Sequence, residues 1–142
     1  MKYTPSFRNS VLVFNFFIGN TNNHIKNYSL LYNKDLRTVR LAPCYDVVAT
    51  RVYKNDINEM SLSINEKLNM DDVTRADFEL EAKSCGIGTK HAMKIFDEVQ
   101  NGLLEALKES ARELEEKGFA QAGEIADKIK RRGVIHHYNR NK

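Results

Sequence analysis

Apolar residues recur at helical spacing near the start of the chain. Four of them fall on one face of a helix: Phe7, Val11, Phe14 and Ile18. Pro5 suits the first turn of such a helix, Thr4 suits its cap, and Gly19 follows as a typical stop. The pattern predicts a buried helix from Ser6 to Ile18.

The next stretch is strongly polar. Residues 19–27, GNTNNHIKN, hold four asparagines, one histidine and one lysine but no carboxylate. Two short segments rich in β-forming residues follow, and they predict an antiparallel hairpin of strands Tyr28–Tyr32 and Val39–Ala42. Pro43 cannot donate to a strand ladder, so the second strand should end there, and Asp46 comes just after it. A hairpin between the polar loop and Asp46 is expected to bring the two together in space.

Helical periodicity dominates the second half of the chain. SLSIN alternates as a short strand does, and Thr74 with Asp77 resembles a capping box for a helix that stops at Gly86. A long apolar stripe predicts a further helix that ends at Gly118. Its members are Ala92, Ile95, Phe96, Val99, Leu103, Leu107, Ala111 and Leu114. A second stripe predicts a helix that ends near Gly133. Its members are Phe119, Ala122, Ile125, Ala126 and Ile129. We expect a helical hairpin whose stripes pack into the core, with a partner-binding groove as the alternative.

Composition agrees with a single domain over residues 1–142 of mainly α (α+β) class. The chain is 42% hydrophobic and 29% charged, as in ordinary globular proteins. No apolar segment reaches the ~18 residues of a membrane helix, and the first residues lack a small-residue cleavage site for secretion. Cys44 and Cys85 stand far apart, which excludes a disulfide framework or a zinc pattern and favours a reducing cytoplasm.

Charge is distributed unevenly along the last third of the chain. Residues 128–142 hold six Lys and Arg and no acid, whereas residues 109–116 are mostly acidic. We interpret both as solvated helix faces, with salt-dependent nucleic-acid binding by the tail as the weaker alternative. Membrane association is not expected. His136 and His137 are interpreted as part of a surface tail rather than as a metal site.

The spacing of three polar residues matches a known solution for phosphoryl transfer. Protein kinases use a catalytic loop with an aspartate and, further along, a metal-binding asparagine; a second metal-binding aspartate lies beyond. Here Asn27 lies five residues after Asn22, and Asp46 lies nineteen residues after Asn27 and beyond the hairpin. This pattern predicts a candidate phosphoryl-transfer site formed by the loop and Asp46.

Two motifs make the resemblance specific. The stretches VFNFFIGNTNNHIKNYSLLY and RLAPCYD resemble the C-terminal lobe of HipA-like toxin kinases, the serine/threonine kinases of bacterial toxin–antitoxin modules. The residues that match the two motifs are Gly19, Asn20, His24, Lys26, Asn27, Ser29, Leu41, Pro43, Tyr45 and Asp46. The resemblance implies a helical protein-kinase-like C-lobe with a hairpin after the catalytic-type loop. It also implies Mg²⁺ and ATP as cofactors and a protein hydroxyl as the substrate.

Site roles follow from the same resemblance. Asn27 and Asp46 occupy the metal-ligand positions, and Asn22 occupies the position of the catalytic base. His24 is expected to organise the loop by hydrogen bonding. Lys26 is expected to meet a phosphate or the substrate, with a solvated loop lysine as the alternative.

Two departures from the family pattern alter the expected function. Position 22 is an amide, which cannot accept the substrate proton at neutral pH, and loss of a general base typically costs about 10²–10⁴-fold in rate. The chain also begins just before the catalytic loop, so the N-terminal lobe that holds ATP is expected to be absent. The isolated lobe is therefore expected to be inactive. Binding of Mg²⁺ and ATP follows from the resemblance, with an isolated lobe that binds neither as the alternative. The alternative is a pseudokinase-like binding module that contacts a HipB-like DNA-binding antitoxin or a separate N-terminal lobe.

Overall fold

The computed structural model describes residues 5–53 and 57–139. These residues form a mostly helical fold with two small antiparallel sheets. The helices are α1 (Pro5–Ile18), α2 (Arg75–Ser84), α3 (Thr89–Glu116), α4 (Ala122–Arg132) and α5 (Ile135–Asn139). The strands are β1 (Leu30–Tyr32), β2 (Val39–Leu41), β3 (Glu59–Ile64) and β4 (Lys67–Asn69). The predicted cap Thr4 and the tail residues 140–142 lie outside the described residues.

Helix α1 lies at the centre of the core because its sequence is apolar on most sides. Phe16 and Phe17 are at most 2% exposed. Aromatic rings from three other helices pack on this pair with centroid distances of 5.0, 5.1 and 5.3 Å: Phe78 of α2, Phe96 of α3 and Tyr138 of α5. Such tilted pairs add about 0.5–1.5 kcal/mol each beyond the burial of their area. The predicted helix is confirmed, but Phe14 of its predicted buried face is 38% exposed, and Val13, Phe16 and Phe17 are buried instead. The core fixes the end of the helix from which the polar loop emerges.

Both sheets are two-stranded hairpins. Strands β1 and β2 pair in the register Leu30↔Leu41 to Tyr32↔Val39, which confirms the predicted hairpin with shorter strands. The ladder continues by one bond, from the Ala42 N–H to the Ser29 carbonyl at 2.7 Å. Strand β3 includes the start of the predicted SLSIN strand, whereas its three-residue partner β4 carries no alternating pattern by which the sequence could reveal it.

A buried carboxylate ties the second hairpin to α2. Asp77 accepts hydrogen bonds from Lys67 Nζ and Asn65 Nδ2, both at 2.8 Å, and from the Thr74 N–H at 2.7 Å. Burial opposes ionisation of Asp77, but these hydrogen bonds outweigh it and hold the pKa of its carboxyl well below the usual range. The Thr74 N–H donates to the carboxylate of Asp77, three residues on, and this hydrogen bond forms the predicted capping arrangement of α2.

Helices α3 and α4 form the predicted helical hairpin, but the interpretation of their stripes as core packing is wrong toward the tip. Leu114 is 42% exposed although it continues the stripe. Phe119 precedes α4 instead of belonging to it, because Gly118 adopts a φ of +96° and the Phe119 N–H bonds back to the Leu114 carbonyl at 3.0 Å. None of the helices among the described residues is long and apolar enough to cross a membrane. Helix α5, only five residues long, was not predicted.

Candidate functional site

The polar loop begins with a sharp change of direction at the end of α1. Gly19 adopts a φ of +77°, a conformation that glycine reaches without steric cost. The Asn20 N–H then bonds to the carbonyl of Asn15 at 2.9 Å, and its side-chain Nδ2 donates to Asn15 Oδ1 at 2.7 Å. Asn15 is buried within the apolar second half of the helix, residues 11–18, and donates to the Val11 carbonyl at 2.9 Å. This buried amide pair fixes how the loop leaves the helix.

A threonine from a distant part of the chain clamps the start of the loop. Thr50 Oγ1 donates to the Gly19 carbonyl at 3.0 Å and accepts from the Thr21 N–H at 2.8 Å. The two hydroxyls of Thr21 and Thr50 lie 2.8 Å apart. The Arg51 N–H bonds to the same Gly19 carbonyl at 3.2 Å. Sequence reasoning missed this clamp, because only the fold brings residues some thirty positions apart into contact.

Asn22 lies just beyond the clamp with its backbone held and its side chain exposed. Its N–H donates to Asn20 Oδ1 at 3.1 Å, and its carbonyl accepts from the His24 N–H at 2.8 Å. The side chain lines an open depression of about 390 Å³ together with Thr21, Thr50, Tyr53, Ile57, Glu59 and Ser61. The Ser61 N–H reaches the Thr21 carbonyl at 2.9 Å, so β3 forms one wall of this depression.

The loop and Asp46 meet as the sequence predicts. Asn27 Nδ2 lies 3.1 Å from Asp46 Oδ2 and 3.4 Å from the carbonyl of Asn22. Asp46 adopts a φ of +54°, which places its carboxylate through a backbone conformation that aspartate tolerates better than most residues. The three residues with kinase-like spacing, Asn22, Asn27 and Asp46, are therefore linked by direct hydrogen bonds.

Two tyrosines hold the two sides of the site together. The Tyr45 hydroxyl donates to the Lys26 carbonyl at 2.9 Å and lies 2.7 Å from Ser29 Oγ. The Tyr28 hydroxyl donates to Asn23 Oδ1 at 2.9 Å. Tyr45 directly precedes Asp46 in the chain, so its contacts set the distance between the carboxylate and the loop.

His24 and Lys26 have different surroundings. His24 Nδ1 accepts from the Lys26 N–H at 3.1 Å and caps the short 3₁₀ helix at Ile25–Asn27, as expected of a loop-organising residue. The Lys26 side chain is exposed and forms no ion pair with a described residue. It is free to meet an anionic group from outside.

The donor set is compatible with a magnesium ion shared with a phosphate group. No cluster of three or more His, Cys, Asp or Glu occurs among the described residues. The site instead offers one carboxylate, Asp46, and one amide oxygen, from Asn27. Mg²⁺ is commonly bound by only one or two protein oxygens, with substrate phosphates and water completing its shell.

Comparisons with known proteins agree on one family. The family model described as "HipA-like C-terminal domain" matches residues 8–107, a range that contains every site residue named above. A protein named "Putative kinase Y4mE" from Sinorhizobium fredii is 30% identical over 76 residues, which cover 54% of this chain and 18% of that protein. A second one from the same organism, "Putative kinase Y4dM", is 29% identical over 118 residues, which cover 83% of this chain and 27% of that protein.

A solved structure shares the fold. The HipA toxin from Shewanella oneidensis MR-1, solved with HipB and its operator DNA, superposes with a TM-score of 0.70 at 16% identity. The match covers 89% of this chain and 31% of the solved chain. The present chain thus spans less than a third of the length of the relatives it matches.

Proposed function

This chain belongs to the family of HipA-like C-terminal domains, and we propose that it is the metal- and substrate-binding lobe of a toxin serine/threonine kinase. The observation that carries the proposal is the 3.1 Å contact between Asn27 and Asp46, two residues nineteen positions apart that meet beside Asn22. In this proposal Asn27 and Asp46 hold Mg²⁺, and Asn22 occupies the position of the proton acceptor. The parent protein would act in the cytoplasm on a protein hydroxyl.

Metal binding would reorganise the contact between the two ligands. Asn27 now turns its amide nitrogen toward the Asp46 carboxylate. To act as a ligand, the amide must present its oxygen, so rotation about the terminal bond would exchange this hydrogen bond for two oxygen–metal contacts. Bound magnesium would neutralise charge on the phosphates of ATP. Asn27 and Asp46 would hold the ion. The hydrogen bonds of the Tyr45 hydroxyl would keep these two residues in place.

Because position 22 carries an amide, the proposed site has no proton acceptor at the position of the catalytic base. Asn22 can donate a hydrogen bond to or accept one from a substrate hydroxyl, and so can orient it, but it does not take up a proton at neutral pH. Glu59 on β3 lines the same depression, so its carboxylate could accept the proton in place of residue 22 and must be tested separately. We expect a lobe that can bind substrate and metal while transferring phosphate very slowly.

Metal binding can be tested on this chain directly. Mn²⁺ should broaden the backbone NMR signals of Asn27 and Asp46 in the isolated chain, and the Asp46→Asn variant should lose this effect. Asp35→Asn is the matched control, because Asp35 is an exposed loop carboxylate whose Oδ1 accepts from the Arg37 N–H at 3.0 Å. Equal broadening in wild type and Asp46→Asn would refute the metal assignment.

The base assignment needs an activity measurement. The chain would be supplied with the N-terminal region of a HipA-like relative, ATP and Mg²⁺, and phosphorylation would be compared for wild type and Asn22→Asp. We expect a gain of about 10²–10⁴-fold on restoring the aspartate. Wild-type activity that is already high and disappears in Glu59→Gln would show instead that Glu59 accepts the proton.

A second function is favoured by the exposed apolar residues around the site. They are Ile25, Leu30, Leu31, Tyr45, Val47 and Val48, all more than a third exposed. Apolar residues gathered in one region of a surface commonly mark an interaction site. A non-catalytic lobe could use this surface to bind a HipB-like antitoxin or a separate N-terminal lobe. Co-purification with the products of neighbouring genes tests this, with Val47→Ser expected to weaken the complex and exposed Leu80→Ser on α2 as the control.

A further inference from the structure

The hairpin of α3 and α4 extends beyond the aromatic core. Within α3, Phe96 packs in that core, whereas Ala111 is the last buried residue before the helix ends. Helix α4 returns along the same part of α3, and the Gly123 N–H donates to Glu115 Oε1 at 3.0 Å. A pair of helices can bury one stripe between them, so apolar residues beside that stripe need a further partner.

Such residues form an apolar groove on one side of this hairpin. Its volume is about 710 Å³, and its walls are almost free of charge. The most exposed apolar members are Leu114 at 42%, Phe119 at 63% and Ile125 at 39%. Only Leu107, at its inner end, falls within the residues matched by the family model, which stops at residue 107. None of the groove residues belongs to the loop or to the segment around Asp46, so the groove is separate from the proposed metal site.

Charges at the two ends of the hairpin are opposite in sign. The tip of α3, residues 109–116, carries four glutamates and one arginine. The end of α4, residues 128–132, carries four basic residues and no acid. Glu115 contacts Gly123 at the tip, and the eight residues from there to Arg131 span about 12 Å along the helix. The groove thus lies between an acidic end and a basic end.

This arrangement is self-complementary, and we propose that the groove binds the same groove of a second copy of this chain. A two-fold axis through the middle of the groove would set the acidic tip of each copy against the basic end of the other. The two hairpins would then form an antiparallel four-helix bundle, which is the common way for helical hairpins to bury their remaining apolar faces. Glu113 and Lys128 lie one turn from the groove residues Ser110 and Ile125, so they are the rim charges expected to meet across the axis. In the single chain Lys128 pairs with Glu124 at 2.6 Å, and in the dimer it would share its charge with Glu113 of the second copy.

The oligomeric state of the chain at several concentrations tests this proposal. Sedimentation velocity should show a monomer–dimer equilibrium, and Phe119→Asp should weaken it by about 10-fold or more, because a charge replaces a buried ring in the dimer. Phe119 is exposed in the single chain, so the variant should keep its helical circular dichroism. Leu80→Asp, at an exposed apolar position on α2, is the matched control and should leave the equilibrium unchanged.

Charge-reversal variants test whether the two copies pack antiparallel, with the acidic tip of one against the basic end of the other. Glu113→Lys and Lys128→Glu should each weaken the dimer, and the double variant should recover association, because each new lysine would meet a new glutamate. A wild-type chain that stays monomeric at high micromolar concentration overturns the proposal. Dimerisation that Phe119→Asp does not affect also overturns it, since the groove would then not be the interface. Neither result bears on metal binding at Asn27 and Asp46, so the proposed function is tested separately.

Discussion

Replacing Gly19 by alanine should destabilise the protein through two separate effects. The first is the backbone, because φ is +77° and an L-residue in the left-handed region costs about 1–2 kcal/mol. The second is space, because a Cβ at this position would lie 3.0 Å from Arg51 Cδ and 3.2 Å from Arg51 Cβ. The Arg51 side chain cannot withdraw freely, since its guanidinium pairs with Asp71 at 2.9 Å. Overpacking of this kind costs about 1–3 kcal/mol.

Gly86→Ala separates the two effects. Gly86 has a φ of +69°, yet an added Cβ there meets no atom within 4 Å. Gly86→Ala should therefore lose only the backbone contribution of about 1–2 kcal/mol, and Gly19→Ala about 2–5 kcal/mol. For a chain of this size each kcal/mol lowers the melting temperature by about 2–4 °C.

Urea unfolding at equilibrium, with thermal unfolding as a second measurement, gives both free energies. Arg51→Ala should be less costly in the Gly19→Ala background than in wild type, because truncation removes the crowded Cγ and Cδ atoms. Equal losses for Gly19→Ala and Gly86→Ala would show that contact with Arg51 carries no cost. A neutral Gly19→Ala would refute the left-handed conformation that starts the catalytic-type loop.

Three other predictions concern side chains that hold the site or the core. Thr50→Val should lower the free energy of unfolding in urea by about 1–3 kcal/mol and shift the NMR signals of Thr21. Thr50→Ser keeps the hydroxyl, so it should keep most of the stability and leave those signals close to wild type. Equal effects of the two variants would argue against the clamp. Asp77→Asn should cost about 2–3 kcal/mol near pH 7, since Lys67 loses its partner. Because the folded pKa of Asp77 is lowered, this difference is present above about pH 4 and falls away as the pH drops below it; a difference independent of pH down to 2 would contradict the assignment. Burial, with the Asp77 charge adding to it, raises the pKa of Tyr138 to about 12, so ultraviolet titration of Tyr138→Phe should lack a phenol ionising near pH 12. The stability contributed by neutral Tyr138 is present below about pH 10 and is lost as the pH rises toward 12.

The sequence predicts elements whose signals are local. Helices α1 and α3 and the capping arrangement of Thr74 with Asp77 each have a signal that lies within a few turns of chain, and each of these elements is confirmed. The stripes are less exact, since Phe14 and Leu114 lie on them and are 38% and 42% exposed. The short strand β4 and the five-residue α5 were not predictable, because neither is long enough to show a period and both depend on packing against residues far away. Phe119 was assigned to the second stripe because its spacing fits; the left-handed Gly118 before it decides otherwise.

The candidate site was predictable in its residue types and not in its scaffold. The spacing of Asn22, Asn27 and Asp46 is visible in the chain, and the structure brings them together. The clamp by Thr50 could not be predicted from the sequence, because no motif distinguishes this threonine from any other and its partners Gly19 and Thr21 lie about thirty positions away. Asn15 did give a signal, as a lone amide within the apolar run VLVFNFFIG, but that signal indicates an interruption and does not identify Asn20 as its partner.

The contacts of Asn22 explain how position 22 can change its chemistry without changing the loop. Every contact that holds this residue uses its backbone: the N–H binds Asn20, and the carbonyl binds His24 and Asn27. The residue lines the open depression, and no hydrogen bond given above holds its side chain. The backbone of residue 22 therefore supports the loop, whereas its side chain would carry the proton-accepting role that we propose for this position. Under the proposed function, an aspartate at this position could be replaced by asparagine while Asn27 and Asp46 keep their contact, and a kinase lobe would then become a binding lobe.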